Sequence, residues 1–179
     1  MVYLFLADGF EEVEALTPLD MLRRAQIPVC TVGIGDEYIR GAHDIVVKAD
    51  CAPSDMVLDN MSAVILPGGM PGTLNLEKSD DVQRAVAYAM ANDVTVAAIC
   101  AAPSILGHAG YLKGRNATCF PGFEADLVGS TALDEAVVWD GNILTARGAG
   151  VALEFAFELV SRLASKEKSA EIRGAIQCR

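Results

Sequence analysis

Among the 179 residues of this chain, the side chain whose surroundings best suit nucleophilic chemistry is Cys100. It sits in Ala97-Ala98-Ile99-Cys100-Ala101-Ala102-Pro103, where an apolar strand runs straight into a helix flanked by small residues. Pro103 falls early in that helix, where a missing N–H costs little. A side chain at so abrupt a turn is pushed out over the end of the sheet, as in a nucleophile elbow. A helix N-terminus beneath it favours thiolate over thiol, which predicts a pKa below that of free cysteine. Spacing alone divides evenly between this reading and a small cysteine that fills a core gap.

Two further segments bear on the same chemistry. Pro67-Gly68-Gly69 closes an apolar strand, and glycines there let backbone N–H groups approach a ligand oxygen, although a plain turn accounts for them as well. In Phe10–Gln26, taken at about 100° per residue, Glu12, Asp20, Arg23 and Arg24 share one side, while Glu11 and Glu14 fall within the apolar arc of Ala15, Pro18, Met21, Leu22 and Ala25. The dipole of a helix N-terminus accounts for Glu11 and Glu12; Glu14 lies deeper. A buried carboxylate is costly unless paired or protonated, and Pro18 cannot bond the Glu14 carbonyl.

The remaining candidates carry less. His108 lies more than two helical turns beyond Cys100, too far to serve as its base. His43, Cys30 and Cys51 read as structural, and Cys178 as an exposed, incidental thiol. Arg147-Gly148-Ala149-Gly150 is a glycine-rich turn before a helix, a weak anion-binding signal by itself.

These residues need a scaffold, and the hydrophobic pattern supplies one. Strands are expected at Val2–Leu6, Val29–Val32, Asp44–Val47, Ala63–Leu66, Val94–Ile99, Ala117–Cys119, Ala136–Trp139 and Asn142–Thr145. Helices are expected at Phe10–Ala25, Asp80–Ala91, Ala101–Ala109 and Val151–Leu163, with a short final one in Ser169–Gln177. Near-continuous apolar runs mean strands buried on both faces, hence a mostly parallel α/β sheet in one domain over residues 1–179. Asp140-Gly141 suggests an added hairpin. In such a sheet ligands bind beyond the carboxyl ends of the strands, where Asp8-Gly9, Gly68-Gly69, Cys100-Ala101 and Arg147-Gly148 all fall.

Composition narrows the function. A net charge of −10 disfavours a nucleic-acid or anionic membrane partner. Met1–Asp8 reads as a first strand, neither signal peptide nor membrane span. Five scattered cysteines without a CxxC pair point to a reducing compartment, the cytoplasm. No metal-ligand spacing and no dinucleotide fingerprint appear, so no metal or other cofactor is expected.

Several ordered motifs together resemble the ThiJ/PfpI superfamily, in its Parkinsonism-associated deglycase branch. They are Ala7-Asp8-Gly9-Phe10-Glu11-Glu12-Val13-Glu14, Thr17-Pro18-Leu19-Asp20, Leu66-Pro67-Gly68-Gly69, the Cys100 segment, and Leu144-Thr145-Ala146-Arg147-Gly148. The resemblance implies a flavodoxin-like three-layer sandwich and a homodimer, with Arg24 and His43 near the dimer interface. It places the reactive thiol at Cys100, its carboxyl partner at Glu14, and an oxyanion cradle at the N–H groups of Gly68, Gly69 and Ala101. It implies a cofactor-independent glyoxalase or deglycase acting on methylglyoxal-like 2-oxoaldehydes or early glycation adducts; an oxidation-sensing or chaperone role would use the same cysteine. Ala101 stands where protease-like relatives have histidine, which argues against peptidase activity. Phe120 stands where many deglycase-branch relatives have histidine, which implies a modest rate.

Overall fold

The structure is a computed structural model and describes residues 1–178. Its main sheet is built from β1 (Val2–Leu6), β2 (Val29–Gly33), β5 (Ala63–Leu66), β6 (Thr95–Ile99), β9 (Val137–Asp140) and β10 (Ile143–Ala146), in the order β2-β1-β5-β6-β10-β9. The first five are parallel; β9 runs antiparallel on the edge, turning into β10 through Asp140-Gly141. Counted alone, the parallel strands follow 2-1-3-4-5, the flavodoxin-like order, whose topological switch lies between β1 and β5.

Alternation within the central strands builds two cores. Val2, Leu4 and Leu6 join one cluster and Tyr3 and Phe5 the other, as the two-residue period of a strand requires. Helices α1 (Glu12–Arg24), α5 (Ala152–Leu163) and α6 (Lys166–Ala175) cover the first face; α2 (Gly72–Lys78), α3 (Asp80–Ala91) and α4 (Pro103–His108) cover the second. Fully burying a side chain such as Phe5 or Leu22 contributes about 1.5–3 kcal/mol.

The structure differs from the sequence reading in five places. Asp44–Val47 is not a strand of the main sheet: β3 (Tyr38–Arg40) and β4 (Val46–Lys48) form a separate antiparallel hairpin, too short and too exposed to show a hydrophobic pattern. Ala117–Cys119 is reduced to β7 (Asn116–Ala117), paired in parallel with β8 (Thr131–Ala132). The helix expected from Ala101 begins only at Pro103, and α2 appears in a Gly- and Pro-punctuated stretch. Cys178 is half-buried against the first core, not an exposed thiol.

Candidate active site

β6 is buried along its whole length and ends at Cys100, whose φ is +66°. A non-glycine residue in this left-handed region stores strain and persists only where its surroundings hold it. Both backbone groups of Cys100 are held. Its N–H donates to the Ala146 carbonyl at 2.9 Å, and its carbonyl accepts the Phe120 N–H at 2.8 Å. The turn therefore projects the thiol beyond the sheet, between the ends of β5 and β10.

Glu14 meets it there. The side chain lies in the first turn of α1 on the face packed against the sheet, and the residue is only 1% exposed. Its Oε2 accepts the Gly68 N–H at 2.9 Å. Burial pushes the Glu14 carboxyl up to about 7, against hydrogen bonds from the Cys100 thiol and from the Gly68 and Ala149 N–H groups that favour its charged form. Burial also pushes the Cys100 thiol up, to about 12, helped by the charge of an ionised Glu14; the N–H groups of Ala101 and Gly69 work the other way.

This corrects the expectation of a depressed thiol pKa. α4 starts three residues beyond Cys100 and spans six residues, so only the Ala101 and Gly69 amides face the sulfur, and burial outweighs them. The two groups are in hydrogen-bond contact and act as one acid. The pair loses its first proton near 7, from Glu14, and resists losing the second, so across neutral pH the sulfur keeps its proton beside a carboxyl that can accept it.

The three cradle residues divide their work. Gly69, at φ +89°, and Ala101 direct N–H groups at the sulfur, while the Gly68 N–H is taken by Glu14. Gly68 must lack a side chain, because a Cβ there would lie 2.6 Å from the Cys100 Cβ and 2.7 Å from Glu14 Oε2. The weak anion-loop signal at Arg147–Gly150 resolves into the Ala149 N–H, which serves the Glu14 carboxyl and no phosphate loop. Beside the pair opens a cleft of about 470 Å³, floored by Gly148 and Ala149 and walled by Phe120, Pro121, Ala136, Arg147 and Val151.

Glu12, read as lying on the polar side of α1, is only 4% exposed. The turn between β3 and β4 folds over it: Oε1 accepts the His43 N–H at 2.8 Å and the Ile45 N–H at 3.4 Å, and Oε2 meets His43 Nδ1 at 2.8 Å. Burial pushes the Glu12 carboxyl up, but the hydrogen bonds, led by His43, hold it below its usual value. With Glu11, whose Oε2 is 3.6 Å from His43 Nδ1, these side chains bring three donor atoms within 4.8 Å, a grouping able to hold a cation. A separation of 31 residues in sequence hid it. His108 is far from the thiol chemistry, engaged with Glu77 at 2.6 Å and Asp126 at 3.3 Å.

Among the described residues no helix is long and apolar enough to cross a membrane. The DJ-1/PfpI family pattern matches residues 1–162. Protein dj-1beta of Drosophila melanogaster is 36% identical over 170 residues, covering 93% of this chain and 91% of that protein. A protein of Pyrococcus abyssi named as a deglycase is 33% identical over 153 residues, covering 83% of this chain and 90% of that protein. The crystal structure of a DJ-1 superfamily protein from Salmonella typhimurium superposes with a TM-score of 0.93 at 34% identity, covering 98% of this chain and 97% of that one. A left-handed cysteine at the end of β6, a buried glutamate against it, and this extent of likeness make the chain a member of the DJ-1/PfpI family.

Proposed function

We propose that the protein converts 2-oxoaldehydes of the methylglyoxal type, free or as the early adducts they form, into 2-hydroxy acids, with Cys100 as nucleophile and Glu14 as proton carrier. The observation that carries this reading is the buried Glu14 carboxyl in hydrogen-bond contact with the Cys100 thiol, its pKa raised by burial to about 7. A carboxyl poised there can both take and return a proton near neutral pH.

The sulfur attacks the aldehyde carbon C1, the C=O π bond opens onto oxygen, and the thiol proton passes to Glu14 and from it to that oxygen, leaving a hemithioacetal and Glu14 ionised again. The Gly69 and Ala101 N–H groups beside the sulfur offer donors to the developing oxyanion. Glu14 then removes the proton from C1 while water protonates the C2 oxygen, and an enediol forms; Glu14 returns its proton to C2 as the C1 hydroxyl gives its own back to water. Reprotonation at C2 yields a thioester of the 2-hydroxy acid. C1 has been oxidised and C2 reduced, so no external redox partner is needed. Water attacks the thioester, the C1–S bond breaks, and the hydroxy acid leaves with the thiol regenerated. Phe120 supplies no proton-transfer group at the cleft, so proton transfer rests on Glu14 and water; a missing proton carrier costs roughly 10²–10⁴-fold in rate.

The deciding experiment is lactate formation from methylglyoxal by the wild type, Cys100→Ser and Glu14→Gln in parallel. Slow turnover by the wild type and none by either variant is the expected result. No lactate above a no-enzyme control would overturn the reading in favour of an oxidation-sensing protein that uses the same thiol.

A further inference from the structure

The cleft beside the Cys100–Glu14 pair has a wall without an evident structural task. Phe120 is 48% exposed, although phenyl rings are ordinarily buried. Its position is nevertheless fixed relative to the thiol, because its N–H donates to the Cys100 carbonyl at 2.8 Å and its own carbonyl accepts the Phe123 N–H at 3.1 Å. The ring lies over Gly148: a Cβ built on that glycine would be 3.2 Å from Phe120 Cδ2 and 3.7 Å from Glu14 Oε1. One small residue therefore links the exposed ring to the carboxyl.

The rest of the cleft offers little to a polar group. Pro121, Ala136 and Val151 present apolar surface. Its only charged side chain, Arg147, is engaged in an ion pair with Asp134, and the Arg147 N–H donates to the Ala136 carbonyl at 3.1 Å. A sugar-like substituent would give up water without finding partners here, whereas an apolar one would cover the exposed ring.

We propose that this cleft selects the substituent R of an R–CO–CHO substrate and that Phe120 is the specificity-determining residue, favouring aromatic and branched aliphatic 2-oxoaldehydes over methylglyoxal and over polyhydroxylated ones. The inference rests on the reaction proposed above for its biological meaning, but the cleft can be probed without turnover. Phenacyl bromide and bromoacetone, C6H5–CO–CH2Br and CH3–CO–CH2Br, carry their electrophilic carbon where the substrate carries its aldehyde. Each alkylates a thiol by forming a C–S bond and releasing bromide and a proton.

The experiment compares the phenacyl-to-acetonyl rate ratio at Cys100, read by peptide mass, with the same ratio for glutathione. Wild type should exceed glutathione by about tenfold, the scale of one aromatic contact in an apolar pocket. Phe120→Ala should bring the ratio back toward that of glutathione, with Phe120→Leu between. Turnover of phenylglyoxal, methylglyoxal and 3-deoxyglucosone is measured alongside, in assays short enough to precede arginine modification by phenylglyoxal. An alkylation ratio equal to that of glutathione in the wild type, or unchanged in Phe120→Ala, overturns the inference even if methylglyoxal is turned over. Selective alkylation without turnover of any aldehyde leaves the cleft assignment standing and removes the enzyme reading.

Discussion

The Gly68 N–H reaches Glu14 Oε2 at 2.9 Å across 54 residues of chain, tying the end of β5 to the first turn of α1 at the topological switch of the sheet. This bond holds the carboxyl beside the sulfur, and it exists because Gly68 has no side chain to keep the three groups apart.

Gly68→Ala should therefore injure the site and the fold together. The new Cβ would meet the Cys100 Cβ, Glu14 Oε2 and, at 2.9 Å, the Ile99 carbonyl, which is backbone and cannot swing away. Overpacking of this kind costs typically 1–3 kcal/mol. A lowered melting temperature with turnover lost is expected; a variant that melts and reacts like wild type would mean that the contact is slack.

Glu14→Gln should stabilise the protein at alkaline pH. The folded carboxyl titrates near 7 against 4.5 in the unfolded chain. Between these values the folded state holds the extra proton, so wild-type stability falls as pH rises from about 4.5 to 7 and stays penalised above. The penalty is at most about 3 kcal/mol, from 1.36 kcal/mol per pKa unit. Urea denaturation at pH 4 and pH 8 checks it: the amide variant should match wild type at the lower pH and exceed it at the higher. Equal stability at pH 8 would mean that Glu14 ionises without cost.

Alkylation of Cys100 should follow the pair and not the isolated thiol. Burial keeps the thiol protonated, but an ionised Glu14 can take its proton as the sulfur attacks, so the iodoacetamide rate should rise as Glu14 ionises, with a midpoint near 7 and below the ~8.5 of free cysteine. Peptide mapping resolves Cys100 from Cys30 and Cys119, whose thiols burial pushes up to about 12 and about 11. A midpoint above 9 would show that Glu14 holds its charge apart from the sulfur.

How much of this was legible in the sequence varies with the residue. β1, β5 and β6 are buried on both faces and read as unbroken apolar runs, so the strand-to-helix corner at Cys100 is legible in the sequence. Glu14 was visible because a carboxylate in an apolar arc, four residues before a proline, breaks the helical pattern. Glu12 was misread because what buries it is the β3–β4 turn, an element of exposed residues folding over from 31 positions away. The thiol pKa was misread for a related reason: the helix-dipole argument counts what lies along the chain, whereas burial and the Glu14 charge arrive through space. The bond from Phe120 to the Cys100 carbonyl joins backbone to backbone and leaves no trace in residue type.

Mild peroxide should carry Cys100 to the sulfinic acid and stop there. The Gly69 and Ala101 N–H groups face the sulfur, and a protonated Glu14 can donate to an added oxygen. Intact mass after graded peroxide distinguishes two added oxygens from three. Glu14→Leu, which keeps the apolar contact and loses the donor, should proceed to the sulfonic acid. An identical product ladder in both proteins would remove Glu14 from any role in holding the oxidised sulfur.

His108 supplies the last test, one of pH-dependent stability away from the thiol. Its ring joins Glu77 of α2 at Nδ1 and Asp126 at Nε2, so both nitrogens face carboxylates and the charged ring is favoured. The Glu77 hydrogen bond leads in raising its pKa above 6.5, with Asp126 adding to it against some burial. Because the folded value lies above the unfolded one, the stabilisation is fully present below pH 6.5 and is lost as pH climbs through the folded value. His108→Ala should thus lower the melting temperature at pH 6 and have almost no effect at pH 9. The ring is partly exposed, so the gain stays below about 1 kcal/mol. Glu77→Gln should remove most of the same increment, and the double variant should lose no more than His108→Ala alone. Additive losses would mean that the ring and the carboxylate stabilise the protein independently, and that the short contact between them is not what ties α2 to α4.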